Sequence, residues 1–266
     1  MNGELAQLVA LVAHTRAALS GEPFSLDLSN STFKYLATLS FDVQHRRLFR
    51  QPVFESVART PKDWYERVVR QRCRTALLVI GPSSGNVPAH VASAFASGGH
   101  WGTILTDDKT HTLWRAEWTV GDRKAAVDSK IWDVHYREFP VVPAANGDSI
   151  SDASVSLGRL LQTADDFARD AALDSWRSWF QSARQKLESE SAAFEYHSDM
   201  LPSTGYAPEA RALLSAAERA WVFGGMGSWN DLGFPELELQ ERYDSLTPKL
   251  YEAVLKAIAA AVNYGI

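Results

Sequence analysis

Apolar residues recur along this chain with two different periods, and the change between them divides it. Leu5, Leu8, Val9, Val12 and Leu19 keep helical spacing, which predicts an amphipathic helix over residues 3–20, ended by Gly21-Glu22-Pro23. Phe33, Tyr35, Ala37, Leu39 and Phe41 then alternate with mostly polar residues, the mark of a strand with one buried face. Thr60-Pro61-Lys62-Asp63 supplies an N-cap, a proline at the first helical position and an acid at the third, so a helix is expected from 61 to about 73. Ala76-Leu77-Leu78-Val79-Ile80 is continuously apolar and reads as a central strand covered on both faces. A short helix near 88–96 follows.

Three further strands come next. Gly102–Thr106 and Thr112–Val120 flank the hairpin-sized connection Asp107-Asp108-Lys109-Thr110. Trp114, Ala116, Trp118 and Val120 share one face, opposite Arg115, Glu117 and Thr119. Ile131–Phe139 repeats the pattern, with Trp132, Val134 and Tyr136 against Asp133, His135 and Arg137. These predict an antiparallel β-meander with one apolar face.

Pro140–Asp148 reads as a linker, and beyond it the period becomes 3.6. Leu157, Leu160, Leu161, Ala164 and Phe167 make one stripe; Trp176, Trp179, Phe180, Ala183 and Leu187 make a second. Pro208 opens a third helix, and Thr247-Pro248 is read as opening a fourth, with Glu252 and Lys256 paired at i,i+4. The fold class is α+β: an N-terminal antiparallel meander with flanking helices in residues 1–145, then a helical region in residues 146–266.

Composition narrows the class of protein. With 266 residues, 45% hydrophobic and 22% charged, the chain can bury a substantial core. Cys73 is the one cysteine, so an internal disulfide and a multi-cysteine zinc site are excluded. The first residues lack a basic leader and no apolar run reaches the ~20 residues of a membrane span, so a soluble cytoplasmic protein without membrane contact is expected. Charge is uneven. Residues 1–150 hold 17 Lys/Arg against 15 Asp/Glu, a net of +2; residues 151–266 hold 10 against 17, a net of −7, and together they give −5. The acidic half argues against direct nucleic-acid binding there and suits a basic partner.

Candidate chemistry is sparse. Gly81–Asn86 follows a strand but has neither the lysine of a phosphate loop nor the spacing of a dinucleotide fingerprint. Ser83 and Ser84 do not sit in a nucleophile elbow. Cys73 falls at a helix end that disfavours the thiolate, although a pairing with His100 is one possibility. His90, His100, His111 and His135 lack metal-ligand spacing. The basic stretch Asp42–Arg74, with nine Lys/Arg and four Asp/Glu, reads as a solvated face, with nucleic-acid binding as its alternative. Asp108 followed by Asp128-Ser129-Lys130 resembles the motif of restriction-endonuclease-like nucleases, in which two carboxylates hold Mg²⁺ and a lysine assists the attacking water. The competing reading is a solvated turn. The reading adopted is no catalytic residue, no cofactor and no metal.

One stretch stands apart. Trp221–Phe234 packs four aromatics and four glycines into fourteen residues and is followed by Glu236, Glu238, Glu241 and Asp244. It is either a core turn or a partner-binding patch of Trp229, Asn230, Asp231, Glu236, Glu238 and Glu241, aromatics rimmed by carboxylates. With the Trp-rich meander and the helices around it, this stretch resembles bacterial immunity proteins encoded beside secreted toxins, those directed at type VI secretion nuclease effectors in particular. The resemblance runs across the chain and is strongest at this stretch. It implies a cytoplasmic protein that neutralises its cognate effector by contact, without catalysis. The alternatives are the metal-dependent nuclease using Asp108, Asp128 and Lys130, and an interaction module unrelated to toxins.

Overall fold

The computed structural model describes residues 1–45, 53–81, 86–107, 110–122, 124, 127–140, 147–189 and 193–266. It is an α+β protein with a six-stranded mixed sheet. In chain order the elements are α1 (Gly3–Leu19), β1 (Leu36–His45), β2 (Val53–Ala58), α2 (Pro61–Arg70), β3 (Thr75–Ile80), α3 (Ala89–Ala92), β4 (Trp101–Thr106), β5 (His111–Val120) and β6 (Trp132–Pro140). Then come α4 (Ile150–Asp170), α5 (Asp174–Leu187), α6 (Pro208–Arg219) and α7 (Leu237–Tyr264).

The sheet order is β2-β1-β6-β5-β4-β3. Strands β3 to β6 run as an antiparallel meander, but β1 joins the far side of β6 in parallel, pairing Leu39 with Val134 and Phe41 with Tyr136. The sheet is therefore mixed, which corrects the expectation of a simple meander. It also corrects the placing of Ala76–Ile80: β3 is an edge strand. Its apolar run arises because α1 and α7 both pack against it. Their side chains also occupy its open backbone groups. Asn263 accepts from Leu78 N at 2.8 Å and donates to Leu78 O at 2.8 Å, while Arg16 Nη1 donates to Ala76 O at 3.0 Å. A strand edge left bare would recruit other strands, and these two residues close it.

Helix α1 is expected to be amphipathic and is instead buried all round, from Glu4 to Thr15. One side faces β3 and β4, and α7 lies alongside. Most polar side chains inside it find a partner, although Thr15 Oγ1 is buried without one among the described residues. Tyr136 OH donates to Gln7 at 2.9 Å, His14 contacts Ser25 at 3.0 Å, and Asn2 caps the helix by accepting from Glu4 N at 2.7 Å.

Helices α4 to α7 form a ring in which each packs on the next, with α7 returning to α4. Their buried stripes are those the 3.6 period marks: Leu157, Leu161, Ala164 and Phe167 on α4, Phe180 and Ala183 on α5, Leu213, Leu214 and Ala217 on α6. The last helix differs from expectation, since α7 starts at Leu237 and Pro248 lies inside it. Pro248 sits on the exposed face, where water can serve the Asp244 carbonyl that a proline cannot satisfy. The first eleven residues of α7 then remain helical and roof the bundle. A single apolar cluster runs from the sheet through α1 into the ring.

Candidate functional site

The glycine-aromatic stretch leaves α6 and crosses the top of the ring. Its aromatics turn inward. Trp229 has no exposed surface and is surrounded by Phe180 at 5.1 Å, Trp176 at 5.5 Å, Tyr243 at 5.6 Å and Phe167 at 5.9 Å between ring centroids. Its Nε1 donates to Thr247 Oγ1 at 2.9 Å and its carbonyl accepts from Tyr243 OH at 2.7 Å. Trp229 is therefore a core residue, and its reading as a partner anchor is corrected: the early turns of α7, which supply Tyr243 and Thr247, enclose it. Asn230 is half-buried and ties the stretch to α3, with Nδ2 donating to His90 O at 3.0 Å and Oδ1 2.9 Å from His90 Nδ1.

What the stretch exposes is Met226, fully, on a turn whose Gly227 has φ +82 and whose Gly227 N–H donates to the Asp231 carboxylate. Asp231, Glu236, Glu238 and Glu241 are exposed, as is Leu237 between two of them. Among the described residues, Glu236, Glu238 and Glu241 form no salt bridge. The arginine of this region, Arg242, instead reaches Asp170 on α4 at 2.8 Å. Glu238 also lies in the first turn of α7, where the helix dipole favours a carboxylate.

The nuclease residues are not assembled. Asp108 lies outside the described residues, as do most of the Gly81–Asn86 loop, most of the Pro140–Asp148 linker and residues 46–52 of the basic stretch. Asp128 and Ser129 have φ 53 and 60, and Lys130 N donates to Val127 O at 3.0 Å. Two left-handed central residues closed by that bond make a primed β-turn, with Asp128 and Lys130 in solvent. Among the described residues no three His, Cys, Asp or Glu converge as metal ligands. Burial, then the charges of Asp107 and Glu138, push the Cys73 thiol upward, away from the reactive thiolate. Ser31, His197 and Asp199 do meet, but as a structural tie. Ser31 Oγ lies 3.0 Å from His197 Nδ1 and donates to Asp199 itself. In a nucleophilic relay the carboxylate orients the imidazole instead.

A pocket that the sequence did not reveal lies beside the stretch. Its volume is about 690 Å³, and its walls come from Trp118 and Trp132 of the sheet, Trp176 and Trp179 of α5, and Trp221 and Phe223. The strand alternation brings Trp118 and Trp132 together at 5.7 Å, edge to face, on the apolar face. Toward Trp114 and Tyr136 the helices cover that face; toward Trp118 it opens into the pocket. The N-terminus of α1 contributes Glu4, only 7% exposed, whose Oε2 accepts from Ser97 N at 3.0 Å. Desolvation raises this carboxyl to about 7. Ser97, held at φ 57, also accepts from Trp118 N at 2.8 Å and so fixes carboxyl and indole together. Trp118 Nε1 is buried without an acceptor. Arg219 lies 3.6 Å from the ring centroid of Trp179.

Comparison with family models, with curated proteins and with solved structures finds no match for this chain.

Proposed function

We propose that this protein is a cytoplasmic immunity factor that binds and neutralises a cognate secreted toxin, a type VI nuclease effector, through protein contact. The observation that carries the reading is the row of solvent-facing carboxylates Asp231, Glu236, Glu238 and Glu241, none of them in a salt bridge among the described residues, together with the exposed Met226 and Leu237. A nuclease must present positive charge to phosphates, and a carboxylate surface matches that charge without being a substrate. Apolar side chains among the acids supply the area from which affinity comes, while the acids set encounter rate and selectivity. With Trp229 enclosed, Met226 and Leu237 take the anchoring role.

The test is co-expression with the products of the adjacent reading frames, among which the proposal expects a secreted nuclease toxin. The wild-type chain should restore growth and co-purify with the toxin. A protein with Glu236, Glu238 and Glu241 all changed to lysine should fail at both while remaining folded. Full protection by that variant would remove this surface from the mechanism. Plasmid cleavage in Mg²⁺ by the purified chain alone, abolished by Asp128→Ala, would establish the nuclease alternative.

A further inference from the structure

The Trp-lined pocket is separate from the acidic row and has its own chemistry. Its side chains present indole faces, which carry negative quadrupolar potential, and one buried carboxyl. Among the described residues no Lys, Arg or His lines it. The amino group of Met1 stands near Glu218 and Glu195; burial lowers its pKa to about 6, while those two carboxylates act in the opposite direction. A carboxyl in this position without a counter-charge is disfavoured as an anion, and an incoming cation reverses that penalty. One wall already shows the preference, since the Arg219 guanidinium rests on Trp179. Hard metal ions need six or more oxygens, which these walls do not offer; weakly hydrated organic cations prefer aromatic faces. About 690 Å³ lies within the usual ~300–1,000 Å³ of small-ligand sites.

We propose that this pocket is a binding site for an organic cation, a quaternary ammonium or guanidinium group, held by the faces of Trp118, Trp132 and Trp176 and by the Glu4 carboxylate. The cation can belong to a free metabolite or to a side chain of another protein, and the recognising chemistry is the same.

The test uses the full chain, tryptophan fluorescence and calorimetry, with three probes: choline, its uncharged carbon isostere dimethylbutanol, and a capped single-arginine peptide. At least one cationic probe should bind and quench tryptophan emission, with dimethylbutanol at least about tenfold weaker. Tighter choline binding identifies a free small molecule as the ligand class; tighter peptide binding identifies a protein side chain. Glu4→Gln should reduce the preference for charge by about tenfold, leaving the part that the indole faces supply, and Trp132→Leu should weaken both cations while the cooperative unfolding transition is kept. Equal affinity for choline and dimethylbutanol would overturn the proposal. So would unchanged cation binding in Glu4→Gln, or no response to either cation up to about 10 mM.

Discussion

At the scale of single residues, Trp229 and Glu4 show how burial decides a role that residue type leaves open. Trp229 fills the centre of the ring, so Trp229→Ala should cost about 3–5 kcal/mol of stability in denaturant unfolding. Trp229→Phe keeps much of the packing but strands Thr247, and should cost less. Glu4 makes a different prediction, through pH. Its carboxyl is raised from 4.5 to about 7, so between those values the folded chain holds a proton that the unfolded chain has lost. Stability from this group is therefore present below about pH 4.5 and falls away as pH rises toward 7. Glu4→Gln should match wild type near pH 4.5 and be more stable at pH 8 by roughly 1–3 kcal/mol. Thermal unfolding of the pair across that range measures the difference, and it isolates Glu4 from the opposing shift of His14, whose pKa burial lowers.

At the scale of elements, periodicity located most strands and helices because each buries one stripe against one neighbour. It misplaced those whose surroundings are set by distant parts of the chain. The run Ala76–Ile80 looks central because two helices cover an edge strand, and the residue that closes that edge is Asn263, 185 positions beyond Leu78. Helix α1 has apolar residues at helical spacing, yet its other face is buried too, which no local pattern records. Pro248 looks like a helix start because the rule that places proline there assumes the earlier residues are not helical. The Trp pocket was hidden for a similar reason: its tryptophans were assigned to the correct apolar faces, but the gap between those faces is a tertiary property. The edge closure gives a test at this scale. Asn263→Ala leaves Leu78 N–H and C=O without partners and should destabilise by about 1–3 kcal/mol. It should also promote self-association visible by light scattering, because the β3 edge is then open.

At the scale of the whole molecule, one apolar cluster joins sheet and helix ring, so surface and core can be altered independently. The acids from Asp231 to Glu241 lie at the outer end of α7, and the apolar residues that hold that end, Tyr243 and Leu246, point inward. No helix among the described residues is long and apolar enough to cross a membrane. Reversing the charge at Glu236, Glu238 and Glu241 should cost only about 1–2 kcal/mol of stability, because the side chains are exposed and the loss is that of carboxylates at the N-terminus of α7. Met226→Ala should weaken toxin binding by about 1–2 kcal/mol, measured by calorimetry, without loss of stability.

The most direct measurement of the central claim is the association rate of the wild-type chain with the nuclease toxin that the proposal requires, followed by stopped-flow over a series of salt concentrations. Steering by the carboxylate surface requires a rate that falls steeply with ionic strength, and a triple charge-reversed protein whose rate is at least about tenfold lower at low salt. A rate indifferent to salt and equal in the two proteins would contradict the account.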